Sequence, residues 1–182
     1  MANVIKSKTG ADLYLIKTNP PYPTEQEALG KEMALERENG NLRDLSGQLP
    51  ELSGYDIILI GGPVWSGEPS NPIQKYLSMT NFGEKKVAGF WTAYAEPGDY
   101  ANKFKKLVNN AKILDGLSFV NTEVSNETVL NSKINTWLNT LGILSETPHA
   151  VNMTNGGTIT LGNGGIAIYK KHGTLNLDNN SN

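Results

Sequence analysis

The chain has 182 residues, a formal charge of −2 and no cysteine. That length suits one domain with a sizeable core and a short appendage. The scattered basic residues leave no electrostatic footprint for nucleic acid, and the absence of cysteine excludes disulfides, thiolate nucleophiles and cysteine metal sites. Met1 to Leu15 lacks the apolar core of a signal peptide, and no window approaches the roughly 20 apolar residues of a membrane span. The sequence therefore predicts a cytoplasmic protein with no nucleic-acid or membrane partner.

In chain order, Asp12 to Thr18 (DLYLIKT) reads as a strand and leads into a rigid link at Pro20, Pro21 and Pro23. Thr24 with Glu27 three residues on reads as a capping box, and Gly40 is placed to end the helix that follows. Tyr55 to Gly67 (YDIILIGGPVWSG) is the most informative stretch. Its run Ile57-Ile58-Leu59-Ile60 reads as a strand buried on both faces, and Gly61-Gly62-Pro63 predicts a tight loop at its carboxyl end. In open α/β sheets ligands bind outside those strand ends, and Trp65 offers a flat ligand a stacking surface. Asn71-Pro72 predicts a helix start, with proline where its missing N–H is harmless. Lys86 to Trp91 is the next strand. Asp99 precedes a helix with Tyr100, Phe104, Leu107 and Val108 on one face, and Lys112 to Val120 is a further strand. The last helix carries Leu130, Ile134, Trp137, Leu138 and Leu141 and stops at Gly142. Strand and helix alternate over the first 142 residues, which implies a parallel sheet covered on both faces.

After Thr147 charge nearly vanishes and asparagine, glycine and threonine dominate. Gly157-Thr158-Ile159-Thr160-Leu161-Gly162-Asn163 returns as Gly173-Thr174-Leu175-Asn176-Leu177-Asp178-Asn179, the punctuation of a β-solenoid. Two domains follow: residues 1–145, and a Gly/Asn-rich tail over 150–182 that resembles the repetitive passenger region of bacterial autotransporter adhesins. Gly162-x-Gly164-x-x-Ala167 has the letters of a dinucleotide fingerprint, but the alternating residues after it read as strand where that motif needs a helix. Ile166 to Thr174 also mimics a strand followed by a phosphate loop, as in a circular permutation; the repeat accounts for those residues more simply.

Thr9-Gly10-Ala11-Asp12-Leu13, Pro21-Tyr22-Pro23, Leu49-Pro50-Glu51-Leu52-Ser53-Gly54-Tyr55-Asp56 and Gly62-Pro63-Val64-Trp65-Ser66-Gly67 occur in that order. Together they resemble the flavodoxin-like family of short-chain FMN flavoproteins over about residues 4 to 142. The resemblance implies a flavodoxin-like three-layer α/β sandwich with strand order 2-1-3-4-5 and FMN at the switch point. In that frame Asp12 to Thr18 is the second strand, followed by Tyr55 to Ile60, Lys86 to Trp91 and Lys112 to Val120. Family members begin with an apolar strand and a phosphate loop of the form S-x-T-G-x-T, whereas Met1 falls inside the first helix. By the usual size of such elements, roughly 20 to 25 residues would precede it in the family. Without that strand two ladders are unpaired, which predicts homodimerisation through the unpaired strands or aggregation. Ser7-Lys8-Thr9-Gly10 has the letters of the loop but reads as a glycine ending a helix.

By the same resemblance, Pro63, Val64, Trp65, Ser66 and Gly67 lie along the isoalloxazine, with Trp65 packed on it or, in the blander reading, on a neighbouring helix. Thr92 and Tyr94, in the loop after the next strand, face its other side. No catalytic residue and no metal site is expected, since His149 and His172 both lie in or beside the tail. Glu25, Glu27, Glu32, Glu36 and Glu38 read as a solvated helix face able to meet a basic redox partner. The sequence predicts an FMN-binding protein in electron transfer or quinone-reductase-like chemistry, exchanging electrons with a redox partner protein or a small-molecule acceptor. The alternative is a truncated or recombined flavodoxin remnant fused to an adhesin-repeat fragment, with no flavin binding.

Overall fold

Apolar residues that alternate between two faces give the sheet its two cores. In β1 (Ile57–Trp65) Leu59 joins one cluster and Ile60 the other; in β3 (Lys86–Ala93) Ala88 and Phe90 join the first, Val87 and Trp91 the second. Each cluster must be covered, because buried Leu- or Phe-sized side chains each contribute roughly 1.5–3 kcal/mol. α1 (Ala2–Thr9) and α6 (Glu127–Thr140) cover the first face through Ile5, Leu130, Ile134, Trp137 and Leu138. α3 (Asn71–Met79) and α4 (Tyr100–Leu107) cover the second through Ile73, Leu77, Tyr100 and Phe104. The result is the three-layer α/β sandwich predicted.

The chain divides into two units, Met1–Leu144 and Ser145–Asn182. The computed structural model describes residues 1–144; the repeat tail, its glycine motifs and both histidines lie outside the described residues. No described helix is long and apolar enough to cross a membrane.

β1 and β3 run parallel in register from Ile57 opposite Lys86 to Pro63 opposite Thr92. The far edge of β3 is shared by two short strands, β4 (Lys112–Ile113) and β5 (Leu117–Val120), where the sequence suggested one. Leu114-Asp115-Gly116 separates them, and Trp137 Nε1 donates to the Asp115 carbonyl at 2.8 Å, so the interruption is filled by the last helix. That helix is preceded by a separate turn, α5 (Asn121–Val124). β2 (Glu68–Pro69) was not foreseen and pairs antiparallel with the end of β1. Gly10 closes α1 in the left-handed conformation, its N–H donating to Lys6 O at 2.8 Å, which confirms the helix-end reading of Ser7 to Gly10.

Two local expectations fail. The helix α2 (Gln26–Glu38) starts at Gln26 after Glu25 with no side-chain cap, so Thr24 and Glu27 form no capping box. Asp12 to Thr18 is not a strand: among the described residues its single ladder contact is an isolated bridge from Thr18 to Leu45. The reason is the unpaired ladder. On the edge of β1 away from β3, no described strand pairs with Ile57 to Pro63. A cavity of about 660 Å³ lies there, walled by Leu13 to Ile16 on one side and Ile57 to Pro63 on the other. An apolar run such as Leu13 to Ile16 becomes a strand only with a neighbour to take its N–H and C=O groups.

Candidate functional site

The carboxyl ends of β1 and β3 gather the predicted residues. β1 does not stop at Gly61-Gly62 but continues through Pro63 and Val64 to Trp65. Pro63 is tolerated because the strand has an open edge at that point. Ser66 and Gly67 then take φ of 49° and 76° between Trp65 and Glu68, which pair across the hairpin. Two successive residues at positive φ make the tight turn whose twist suits a hairpin; glycine adopts it freely, and serine at a cost of about 1–3 kcal/mol.

The turn is held from behind by α2. Arg37 Nε donates to Asn71 Oδ1 at 2.8 Å, Nη1 and Nη2 both donate to Trp65 O at 3.2 Å, and Nη2 donates to Pro69 O at 3.1 Å. Its charge faces Glu68, 3.6 Å away. Burial lowers the Arg37 pKa and Glu68 opposes that shift; a guanidinium so partnered stays charged at neutral pH. Asn71 Nδ2 in turn donates to Met33 O at 3.2 Å and to Glu36 Oε2 at 3.0 Å. Glu36 also accepts from Arg43 Nε at 2.5 Å and from the Tyr22 hydroxyl. The Arg43 guanidinium lies 3.5 Å from the Tyr22 ring centroid, and Tyr22 meets Trp65 edge-on, centroids 5.1 Å apart.

Burial alone would raise the Glu36 carboxyl, but the donors Tyr22, Asn71 and Arg43 outweigh it and hold the carboxyl below its ordinary range. The same burial and the Glu36 carboxylate push the Tyr22 hydroxyl well above the usual phenol range. Glu36 is therefore not part of a solvated face, as the sequence suggested, although Glu25, Glu27, Glu32 and Glu38 are exposed.

Thr92 stands opposite Pro63 in the ladder, and Tyr94, just past the end of β3, is 91% exposed. The loop returns to touch the hairpin turn at Gly98. A Cβ added to Gly98, whose φ is 61°, would lie 2.5 Å from Gly67 Cα, so the two loops meet glycine to glycine. Of the seven predicted contacts Pro63 and Trp65 line the large cavity, and the other five lie outside its wall. Val64 packs into the core around Ile60 and Trp91. The Trp65 carbonyl accepts from Arg37 of α2, its ring meets Tyr22, and the residue lines the large cavity. A second hollow, about 340 Å³, lies beside Gly83 and Lys85 at the amino end of β3, away from this site.

Residues 1–141 match the flavodoxin family model. The chain belongs to that family. Among solved structures, a flavoprotein of Lactobacillus acidophilus in complex with FMN is 23% identical, with 70% of this chain and 87% of that one covered and a TM-score of 0.58. A candidate flavoprotein of Bacteroides eggerthii is 21% identical over 78% and 87% of the two chains, TM-score 0.62. Another, of Bacteroides uniformis, is 16% identical over 76% and 87%, TM-score 0.57. These likenesses establish the flavodoxin-like fold. No curated protein matches the chain.

Sequence reasoning missed Arg37, Glu36, Arg43 and Asn71 as a unit. One signal was present: Arg37 and Arg43 are the only arginines in a chain rich in lysine. Arginine in place of lysine marks positions where a planar, multi-donor cation is required.

Proposed function

We propose that the chain binds FMN at the carboxyl ends of β1 and β3 and serves electron transfer or quinone-reductase-like redox chemistry. The observation that carries this is the junction of the Ser66-Gly67 turn with Gly98, flanked by Trp65 and Tyr94. Such a junction suits a flat ring: two aromatic side chains for stacking, peptide groups at its edge and no bulky side chain where the loops touch. Stacking on an aromatic ring is worth about 0.5–1.5 kcal/mol beyond burial. Trp65, Ser66 and Gly67 would hold one side of the isoalloxazine, and Thr92 and Tyr94 the other. The bound flavin supplies the one- and two-electron chemistry; the chain's residues orient the ring and set the polarity around it. The FMN-bound Lactobacillus flavoprotein supports the choice of FMN. Electrons would pass to a redox partner protein or a small-molecule acceptor.

Titration of purified protein with FMN tests the reading. Quenching of flavin fluorescence with submicromolar to micromolar affinity is expected, and Trp65→Ala should weaken it roughly tenfold, the equivalent of losing the stacking surface. Absence of quenching at tens of micromolar FMN would favour a chain that binds no flavin, a reading that the edge of β1 left unpaired among the described residues supports.

A further inference from the structure

We propose that Arg37 is the positioning residue of the ring-facing turn, fixing the Trp65–Pro69 hairpin in the shape that takes the flavin ring. This rests on the FMN reading of the same site. Arg37 reaches the carbonyls on both sides of the turn, Trp65 O before it and Pro69 O after it, and the first residue of α3 through Asn71 Oδ1. One planar cation therefore spans α2, the β1–β2 hairpin and α3. The turn has need of such a clamp. Ser66 sits at φ 49°, and a strained non-glycine conformation persists only where its surroundings over-determine it. β2 contributes two residues to the hairpin, paired as Val64 with Pro69 and Trp65 with Glu68. So short a ladder fixes little by itself.

The neighbouring groups hold the clamp in turn. Asn71 is 1% exposed and uses its amide in both directions, accepting from Arg37 and donating to Glu36 Oε2 and Met33 O. Arg43 and Tyr22 engage Glu36, and Tyr22 closes the circuit by meeting the Trp65 ring edge-on. The Arg37 hydrogen bonds go to backbone carbonyls of the hairpin and to Asn71, so it acts through the turn. A lysine has one nitrogen to offer to carbonyls that the guanidinium serves with two, and cannot keep the planar fork.

The test compares wild type, Arg37→Met and Arg37→Lys in the full chain by three readouts: amide hydrogen exchange, thermal melting, and titration with FMN and with lumiflavin, which lacks the ribityl phosphate. In the flavin-free protein Arg37→Met should speed exchange across 65–71 while β3 keeps its protection. FMN and lumiflavin should each bind about tenfold or more weakly, because charge-assisted hydrogen bonds to the turn are lost on the ring side alone. Arg37→Lys should fall between the two. Unchanged exchange at 65–71, FMN affinity within twofold of wild type, or protection lost throughout the sheet in both variants would overturn the inference. Failure of the FMN reading shows separately, as absence of flavin binding by wild type, while the exchange comparison still decides whether Arg37 holds the turn.

Discussion

Glu36 shows how one side chain can take a role its sequence neighbourhood hides. On a helix with Glu25, Glu27, Glu32 and Glu38 its spacing suggests solvent, yet it accepts from Tyr22, Arg43 and Asn71. Its folded pKa lies below the ordinary carboxylate value, so ionisation favours the folded state. A group depressed in this way contributes stability that is fully present above its unfolded pKa, about 4.3 for glutamate, and that is lost as pH falls through the lower folded value. Thermal melts of wild type and Glu36→Gln followed downward from pH 7 should therefore converge in acid, with the wild type losing more. Parallel curves across that range would show that the Glu36 network adds no pH-dependent stability. The clustering of the chain's only arginines beside this glutamate was legible in the sequence; their partners, some 34 and 28 residues away for Arg37 with Asn71 and Trp65, were not.

At the level of elements, local signals worked where they rested on backbone chemistry. Asn71-Pro72 starts α3, Gly10 closes α1, and Gly40 and Gly142 take positive φ beyond α2 and α6. They failed where an element depended on its neighbours: Asp12 to Thr18 has the apolar run of a strand but no paired strand among the described residues, and Lys112 to Val120 divides where Trp137 claims the carbonyl at Asp115. The contact between Gly67 and Gly98 belongs to this scale too, since it couples the loop after β1 to the loop after β3. Gly98→Ala puts a Cβ 2.5 Å from Gly67 Cα at a φ of 61°. A loss of about 1–3 kcal/mol is expected from the strained conformation alone, read as a lower denaturation midpoint. FMN affinity should fall with it, because both ring-facing loops are displaced. An unchanged midpoint would mean that the loops separate freely.

For the described unit as a whole, the governing feature is the open edge of β1. Ile57 to Pro63 present an unpaired ladder beside an apolar cavity, and exposed strand edges of this kind invite pairing with another chain. The prediction is concentration-dependent self-association in sedimentation velocity, sharpening as protein concentration rises. A single monomeric species with a cooperative melt at every concentration would show that the edge is protected.

By itself the sequence determined the α/β sandwich, its two apolar faces and the family, because alternation of apolar residues and capping glycines are local properties carried along the chain. It also placed Trp65, Ser66, Gly67, Thr92 and Tyr94 at the carboxyl ends of neighbouring strands. Only the tertiary structure decided that β1 runs on to Trp65, that Gly67 meets Gly98, and that Arg37 holds the turn through the carbonyls of Trp65 and Pro69. Those depend on backbone groups of distant segments meeting in space, and a carbonyl carries no signature in the side-chain sequence.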